Sequence, residues 1–270
     1  MSKVEELLGR LEAWFNPVEG SLTAFSGGVD SALVLFLSHK FLGEKGIGVI
    51  ADSPSLKRRD LKVATDFCQQ LGIELRVINT GELNNSNYAN NPSNRCFFCK
   101  DTLYQTMEDI RPEYPGYYML NGTNLDDHGD YRPGIQAANN HGVYSPLSDC
   151  GIRKTDIRLL AKHFNLPVWD KSASPCLSSR IPYGQKVTEE KLHQIEAAET
   201  FLNRLGFDEV RVRHFGMEAR IEVPADILEK LRPFKPQIQK AFKEMGFETA
   251  TIDTEGFVSG KLNRAIVSHG

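Results

Sequence analysis

Apolar residues recur at helical spacing from the start of the chain, which predicts an amphipathic helix over residues 3–15. The Asn16-Pro17 pair ends this helix. Apolar stretches then alternate with amphipathic stretches as far as residue 166, and they predict strands at 21–25, 46–52, 73–79 and 116–124 and helices at 31–43, 55–72 (with Ser55 as N-cap), 101–110 and 154–166. Strands that alternate with helices predict an α/β fold: a parallel sheet covered by helices on both faces.

The pattern changes after residue 185. A long helix, two alternating strands, two short helices and a last strand follow, at 188–207, 209–215, 218–224, 225–232, 236–245 and 247–253. We therefore predict two domains, a nucleotide-binding domain at 1–185 and a small α+β domain at 186–270.

Polar, glycine-containing stretches follow three of the predicted strands, at 26–31, 52–55 and 122–127. Because the strands are predicted to be parallel, their carboxyl ends meet at one edge of the sheet. Parallel sheets bind ligands at that edge, so we expect one ligand site there.

Composition limits the class of protein. No apolar run is long enough to span a membrane, and the N-terminus has no basic-then-apolar signal pattern, so we expect a cytoplasmic protein. The formal net charge is −3, which argues against binding nucleic acid through its phosphates. In the cytoplasm, closely spaced cysteines are more often metal-binding or catalytic than disulfide-bonded.

The segment "AFSGGVDS" (24–31) lies between a predicted strand and a predicted helix. Its adjacent glycines let backbone N–H groups turn toward one point in front of a helix N-terminus, and its serines add hydroxyl donors. This arrangement suits a phosphate, although the spacing is neither that of the Walker loop nor GxGxxG. Asp30 fits such a site if it holds Mg2+ between phosphates; the alternative is a glycine-rich turn with Asp30 as a helix-capping acid.

SGGVDS resembles the pyrophosphate-binding loop of the ATP pyrophosphatase (PP-loop) superfamily, and "NGTNLDD" (121–127) resembles its second nucleotide motif. The resemblance implies an enzyme that splits ATP into AMP and pyrophosphate and attaches AMP to a substrate oxygen. It also implies these nucleotide-binding residues: Ala24, Ser26, Gly27, Gly28, Asp30, Ser31, Asp52, Ser53, Gly122, Thr123, Asn124 and Asp127.

Two further segments carry thiols. "NRCFFCK" (94–100) contains a CxxC motif, and "SASPCLSSRIPYG" (172–184) places a cysteine after a proline and four residues before Arg180, which could favour a thiolate. Together with SGGVDS and the strand pair after residue 208, these segments resemble the LarE family. Its members are pyridinium-3,5-biscarboxylate mononucleotide sulfurtransferases that make the nickel-pincer cofactor of lactate racemase.

The resemblance implies that a substrate carboxylate is adenylated and that sulfur then replaces AMP to give a thiocarboxylate. Some members sacrifice a cysteine at the position of Cys176, whereas others hold a 4Fe–4S cluster with three cysteines. This chain has Cys96, Cys99 and Cys176 as candidate catalytic residues and cluster ligands, which favours the cluster and an external sulfide donor. Sacrifice of Cys176 and a zinc or redox role for the CxxC remain alternatives.

The same resemblance implies that Arg211 and Arg213, which share one face of a strand, bind the mononucleotide phosphate, and that the protein forms a homo-oligomer, such as a hexamer. Arginines paired with strand glutamates are the alternative. Lys100, directly after the CxxC, and Arg180 are further candidate substrate contacts, and a solvated lysine is the alternative for Lys100. Cys68 is expected in the core, and Cys150 is expected to be structural or incidental, with a role as a fourth thiol of the site as the alternative.

Three other functions remain open at this point. A tRNA thiolase also pairs this type of loop with cysteines, but it would bind RNA. An amide-forming ligase similar to NAD synthetase would use ammonia and would leave the cysteines without a role. A nucleotide-binding regulator would carry out no chemistry.

Overall fold

The computed structural model describes residues 2–129, 132–258 and 261. The α-helices are α1 (Lys3–Phe15), α2 (Val29–Leu42), α3 (Arg58–Leu71), α4 (Ser86–Ala89), α5 (Arg95–Ile110), α6 (Pro133–Asn140), α7 (Pro146–Asp149), α8 (Lys154–His163), α9 (Glu189–Arg204), α10 (Leu228–Leu231) and α11 (Lys235–Glu244). The strands are β1 (Ser21–Ala24), β2 (Gly46–Ala51), β3 (Leu75–Ile78), β4 (Tyr118–Leu120), β5 (Arg211–Phe215), β6 (Glu218–Glu222) and β7 (Thr249–Ile252).

The chain forms two compact units. The first unit consists of Met1–Glu82 and Asn94–Ser174, and the second consists of Leu83–Ser93 and Pro175–Gly270. The sequence-based prediction assigns residues 83–93 and 175–185 to the first domain, whereas both segments belong to the second unit. No helix in the described residues has the length and apolar character needed to cross a membrane.

The first unit is built on a four-stranded sheet with the order β3-β2-β1-β4. All three strand pairings are parallel. The predicted parallel α/β fold is therefore confirmed. The carboxyl ends of the strands lie at one edge, where the polar stretches of the sequence begin.

Apolar residues cover both faces of this sheet. On one face, Leu33 of α2, Phe67 of α3 and Leu160 of α8 belong to one buried cluster. On the other face, Val49 of β2 packs in a second cluster with Tyr104 of α5. This two-sided burial explains why strand β2 is apolar throughout rather than alternating.

Several helix starts differ from the prediction, and two of these differences concern segments of the predicted site. Helix α3 begins at Arg58 rather than at residue 55, and Ser55 is not its N-cap. Helix α5 begins at Arg95, so the CxxC motif is helical, whereas the sequence predicted a loop up to residue 100. The polar run before residue 95 hid this start, because the α5 N-cap makes no side-chain hydrogen bond that a sequence pattern could reveal.

The second unit contains a three-stranded sheet with the order β5-β6-β7. Strands β5 and β6 are antiparallel, and β6 and β7 are parallel. Residues 83–93 join this unit through backbone hydrogen bonds from Gly184 to Asn91 and from Val187 to Ala89. A buried apolar cluster that includes Leu202 of α9 and Phe242 of α11 forms its core.

Candidate functional site

The loop after β1 uses the conformational freedom of a glycine. Gly27 has a φ of 71°, in the left-handed region that favours glycine, and Gly28 is the N-cap of α2. The Ser31 hydroxyl accepts a hydrogen bond from the Ser26 backbone N–H at 3.2 Å and donates to the Gly28 carbonyl at 3.1 Å. The first N–H groups of α2 have no intrahelical partner, so the loop presents backbone donors suited to an anion.

The second motif lies directly against this loop. A Cβ atom at Gly122 would come within 2.6 Å of the Ser31 nitrogen and within 2.9 Å of the Asp30 carbonyl carbon. Such distances to backbone atoms exclude a side chain at this position. The structure thus brings the two sequence motifs into one place through a close backbone contact.

Side chains of the second motif shape their own turn. The Asn121 side chain accepts from the Thr123 N–H at 2.9 Å, and the Asp127 carboxylate accepts from the Asn124 N–H at 3.0 Å. Asp127 also pairs with Arg132 at 2.9 Å. These contacts order the turn, and the predicted nucleotide contacts of Thr123, Asn124 and Asp127 stay predictions.

Asp30, the candidate Mg2+ ligand, forms an ion pair that the sequence did not predict. The Lys154 ammonium, from the first residue of α8, contacts both carboxylate oxygens of Asp30, one of them at 2.6 Å. The Lys154 side chain is 40% exposed and that of Asp30 is 27% exposed. A partly exposed carboxylate is a ligand of the kind Mg2+ prefers, so the residue type and its accessibility fit the predicted ion.

The end of β2 is held by an arginine. Asp52 pairs with Arg58, which also donates to the Ser53 carbonyl at 2.7 Å. This fixes the backbone of the segment that was predicted to lie near the adenosine.

A buried carboxylate lies behind this segment. Glu82, only 2% exposed, accepts hydrogen bonds from the hydroxyls of Ser53, Ser55 and Thr80. The Ser53 hydroxyl is therefore engaged within the protein. Glu82 is far from Ser53 in the chain, and no local pattern in the sequence identified it.

The two thiols of the CxxC motif, Cys96 and Cys99, lie in the first turns of α5. Cys96 is exposed and Cys99 is partly buried, and their i, i+3 spacing places them on one helical face. A Cβ atom at Gly134 would lie 3.0 Å from Cγ of Lys100, so the start of α6 packs closely against this turn. Within the described residues, no three His, Cys, Asp or Glu side chains are arranged to hold a metal ion.

Cys176 precedes a short 3-10 helix, Leu177–Arg180, and is partly buried. Its carbonyl accepts hydrogen bonds from the Ser179 hydroxyl at 2.7 Å and from Arg180 at 3.2 Å. Arg180 is 1% exposed, and two of its nitrogens donate to the Glu199 carboxylate at 2.7 and 3.2 Å. Arg180 thus holds the turn that carries Cys176, a role that the sequence did not predict, and its predicted substrate contact stays a prediction.

Arg213 is also buried and paired. It donates to one oxygen of Glu222 at 2.9 and 2.8 Å and to the Ser179 carbonyl at 2.7 Å. The alternative of an arginine paired with a strand glutamate describes Arg213 well. Its predicted contact with the substrate phosphate would have to add to these bonds.

Arg211 differs from these two arginines. Its side chain makes no hydrogen bond or ion pair with any residue that the structure describes, and its guanidinium lies 3.8 Å from the ring centroid of Phe257. Burial, together with the nearby charges of Arg180 and Arg213, lowers the pKa of Arg211 to about 10. An arginine among other cations, with no carboxylate bound to it, is suited to an anionic ligand.

The remaining cysteines are placed as expected. Cys68 is 2% exposed in the core, and burial raises the pKa of its thiol to about 12. Burial and the adjacent Asp149 raise the pKa of the Cys150 thiol to about 11. Neither thiol provides a thiolate at neutral pH.

Comparison with known proteins places the chain in a family. The NAD synthase family model matches residues 13–97. An uncharacterized protein of Synechocystis is 41% identical over 97% of this chain and 99% of its own length. The pyridinium-3,5-bisthiocarboxylic acid mononucleotide synthase of Lactiplantibacillus plantarum is 34% identical over 89% of this chain and 87% of its own length. The chain therefore belongs to the LarE family, within the PP-loop superfamily of enzymes that use ATP.

Proposed function

We propose that the protein is an ATP-dependent sulfurtransferase. It would convert a carboxylate of pyridinium-3,5-biscarboxylate mononucleotide into a thiocarboxylate, in the biosynthesis of the nickel-pincer nucleotide cofactor of lactate racemase. The observation that carries this proposal is the backbone contact between Gly122 and Ser31, because it joins both nucleotide motifs in one site. The name of the Lactiplantibacillus relative supports the substrate class.

The first step is activation of the carboxylate. The N–H groups of the loop before α2 and the hydroxyls of Ser26 and Ser31 would bind the β- and γ-phosphates, and Asp30 would hold Mg2+, which neutralises phosphate charge. A carboxylate oxygen of the substrate attacks the α-phosphorus, and pyrophosphate leaves with the electron pair of the broken P–O bond. The acyl adenylate now has AMP as its leaving group, which departs far more readily than oxide.

The second step replaces AMP with sulfur. In the sacrificial route, the Cys176 thiolate attacks the acyl carbon and AMP leaves, which gives a thioester. Loss of the Cα proton of Cys176 and cleavage of its Cβ–S bond then release the thiocarboxylate and leave dehydroalanine.

We favour the other route, in which sulfide is the donor and Cys176 survives. Cys96, Cys99 and Cys176 would hold a 4Fe–4S cluster, and the chemistry that the cluster would supply is delivery of an added sulfide to the acyl adenylate. The shared helical face of the two CxxC thiols supports this route, since the sacrificial route gives them no function.

Arg211 would bind the phosphate of the mononucleotide, because its guanidinium has no carboxylate partner among the described residues. Lys100 would contact a substrate carboxylate. A homo-oligomer remains a prediction, which light scattering of the purified protein tests.

Mass spectrometry after turnover tests the proposal. The protein is reconstituted with iron and sulfide without oxygen and incubated with ATP, Mg2+ and the dicarboxylate mononucleotide. We expect a thiocarboxylate product, AMP and pyrophosphate, and a Cys176 peptide of unchanged mass. A Cys176 peptide that has lost H2S would establish the sacrificial route instead.

Matched variants sharpen this test. Cys176→Ser should form no thiocarboxylate, whereas Cys150→Ser removes another partly buried thiol and should retain turnover. An amide product with ammonia, in place of a thiocarboxylate with sulfide, would overturn the proposal in favour of a ligase.

A further inference from the structure

Lys171, near the end of the first unit, contacts the loop between β1 and α2, which we call the nucleotide loop. The Lys171 ammonium donates to the Gly27 carbonyl at 3.0 Å and to the Asp60 carboxylate at 3.0 Å. The other oxygen of Asp60 accepts from the Ser174 hydroxyl at 2.7 Å. These bonds connect the loop, helix α3 and the segment after α8, and neither nucleotide motif contains Lys171, Asp60 or Ser174.

The hydrogen bonds among Lys171, Asp60 and Ser174 are largely buried. Asp60 is 8% exposed, and the Lys171 side chain is 22% exposed. Burial alone would raise the pKa of Asp60, but the hydrogen bonds from Ser174 and Lys171 outweigh it and lower the pKa. Asp60 is therefore a carboxylate at neutral pH, and it fixes the position of the Lys171 ammonium.

The bond to Gly27 controls one particular peptide group. The carbonyl of Gly27 and the N–H of Gly28 belong to the same planar trans peptide, so they point in opposite directions. Gly27 has a φ of 71° and no side chain, which leaves this peptide easy to rotate. A donor on the carbonyl side therefore directs the Gly28 N–H away from Lys171.

That N–H lies at the N-cap of α2, where it has no intrahelical partner. If the peptide rotated, a carbonyl oxygen would replace the N–H and would repel a phosphate. The orientation of this peptide thus decides whether it adds a donor or an acceptor to the anion site of the loop.

We propose that Lys171 is a positioning residue for the nucleotide loop: with Asp60 and Ser174, it holds the Gly27–Gly28 peptide so that the Gly28 N–H donates to a phosphate of ATP. This inference rests on the proposed use of ATP. It assigns to Lys171 an action through the backbone rather than a contact with the nucleotide.

Binding measurements separate this role from simple stabilisation. Calorimetry with Mg·ATP and with adenosine is carried out on the full chain, as wild type and as Lys171→Met, Lys171→Arg and Ser174→Ala. Loss of the donor in Lys171→Met should weaken Mg·ATP binding about tenfold, while adenosine, which has no phosphates, binds as before. Lys171→Arg keeps a donor and should recover most of the affinity, and Ser174→Ala should weaken Mg·ATP binding only about twofold to threefold.

Lys162→Met removes a lysine from the exposed side of α8 and is the matched control. Equal Mg·ATP binding by Lys171→Met and wild type would overturn the inference, and so would a parallel loss of ATP and adenosine binding. If Lys171→Met does not fold, Ser174→Ala decides, since an unchanged Mg·ATP affinity in that variant also overturns it. Failure of the wild type to bind Mg·ATP would overturn the proposed function itself.

Discussion

The ion pairs at the nucleotide loop of the first unit are more exposed than those in the arginine cluster of the second unit. The arginine cluster consists of Arg180, Arg211 and Arg213. At the loop, the pair formed by Lys154 and Asp30 is 40% and 27% exposed. In the cluster, Arg180 and Glu199 are 1% and 5% exposed, and Arg213 and Glu222 are 5% and 2% exposed. An exposed pair exchanges partners at little cost, whereas a buried pair cannot separate without leaving a charge unpaired.

This difference indicates which charges bind ligands and which hold the fold. In the proposed site, Lys154 would release Asp30 to Mg2+ and would lie close to the phosphates of ATP. Arg180 and Arg213 bind backbone carbonyls of the Cys176 turn, so they maintain its shape. Arg211, which has no such partners among the described residues, is the exception within the cluster.

The largest expected effect is on the stability of the second unit. Arg180→Met leaves the Glu199 carboxylate buried without its cation and should lower the free energy of unfolding by about 3–5 kcal/mol. Urea denaturation followed by circular dichroism measures this change. Arg220→Met breaks the partly exposed pair with Glu218 and should cost less than about 1 kcal/mol. Equal losses in the two variants would remove the distinction between buried and exposed pairs.

Arg211→Gln should weaken substrate binding without loss of stability. Burial and the charges of Arg180 and Arg213 disfavour this cation by more than the nearby glutamates favour it, so the free energy of unfolding should stay level or rise. Loss of a charge-assisted bond to the phosphate should raise the KM for the mononucleotide about tenfold to a hundredfold, with kcat little changed. Arg204→Gln, on an exposed position of α9, is the control. An unchanged KM would show that Arg211 does not bind the substrate.

Acid should weaken the second unit through His214. Burial, with Lys191 nearby, lowers the pKa of His214 from 6.5 to about 4. The unfolded chain takes up a proton as pH falls below 6.5, but the folded chain does not, so stability is lost between these values. At pH 5, this difference in proton uptake should lower the free energy of unfolding by about 2 kcal/mol.

The variant His214→Gln should reduce this acid sensitivity, since glutamine can still donate to Gln194, the partner of His214. Urea midpoints at pH 7.5 and pH 5 measure the difference. The exposed His193→Gln is the control and should keep the wild-type slope. A His214→Gln protein as sensitive to acid as wild type would contradict this explanation.

The smallest expected effect on stability belongs to the loop. Lys154→Met should change the free energy of unfolding by less than about 1 kcal/mol, because its pair with Asp30 is partly exposed. Mg·ATP affinity should nevertheless fall about tenfold, since an ammonium group near the phosphates is lost. Calorimetry measures the affinity, and Lys62→Met, which breaks an exposed pair on α3, is the control. If Lys154→Met destabilised the protein as much as Arg180→Met, the Lys154–Asp30 pair would be needed for stability, and this explanation would be wrong.

Local sequence patterns predicted the parts of the structure that depend on local interactions. Helix α1 has the predicted bounds, because its apolar spacing and its capping serine are both local signals. The parallel sheet was predicted from another pattern along the chain, the alternation of strands with helices.

Contacts between distant residues were not predictable in this way. The Lys171–Asp60 bond joins positions 111 residues apart, and the Lys154–Asp30 bond joins positions 124 residues apart. Lysines and carboxylates are common on any surface, so nothing in the sequence distinguishes these pairs. The helical CxxC was missed because its position depends on how α5 packs against the sheet and α6, which a polar flanking sequence does not reveal.

Exchange of labelled pyrophosphate into ATP tests the central claim most directly. The reaction requires reversible formation of the acyl adenylate, but it requires no sulfur. We predict exchange that depends on the dicarboxylate mononucleotide, persists in Cys176→Ser and is lost in Asp30→Ala. Exchange without the mononucleotide, or no exchange with it, would contradict activation of the substrate carboxylate by ATP.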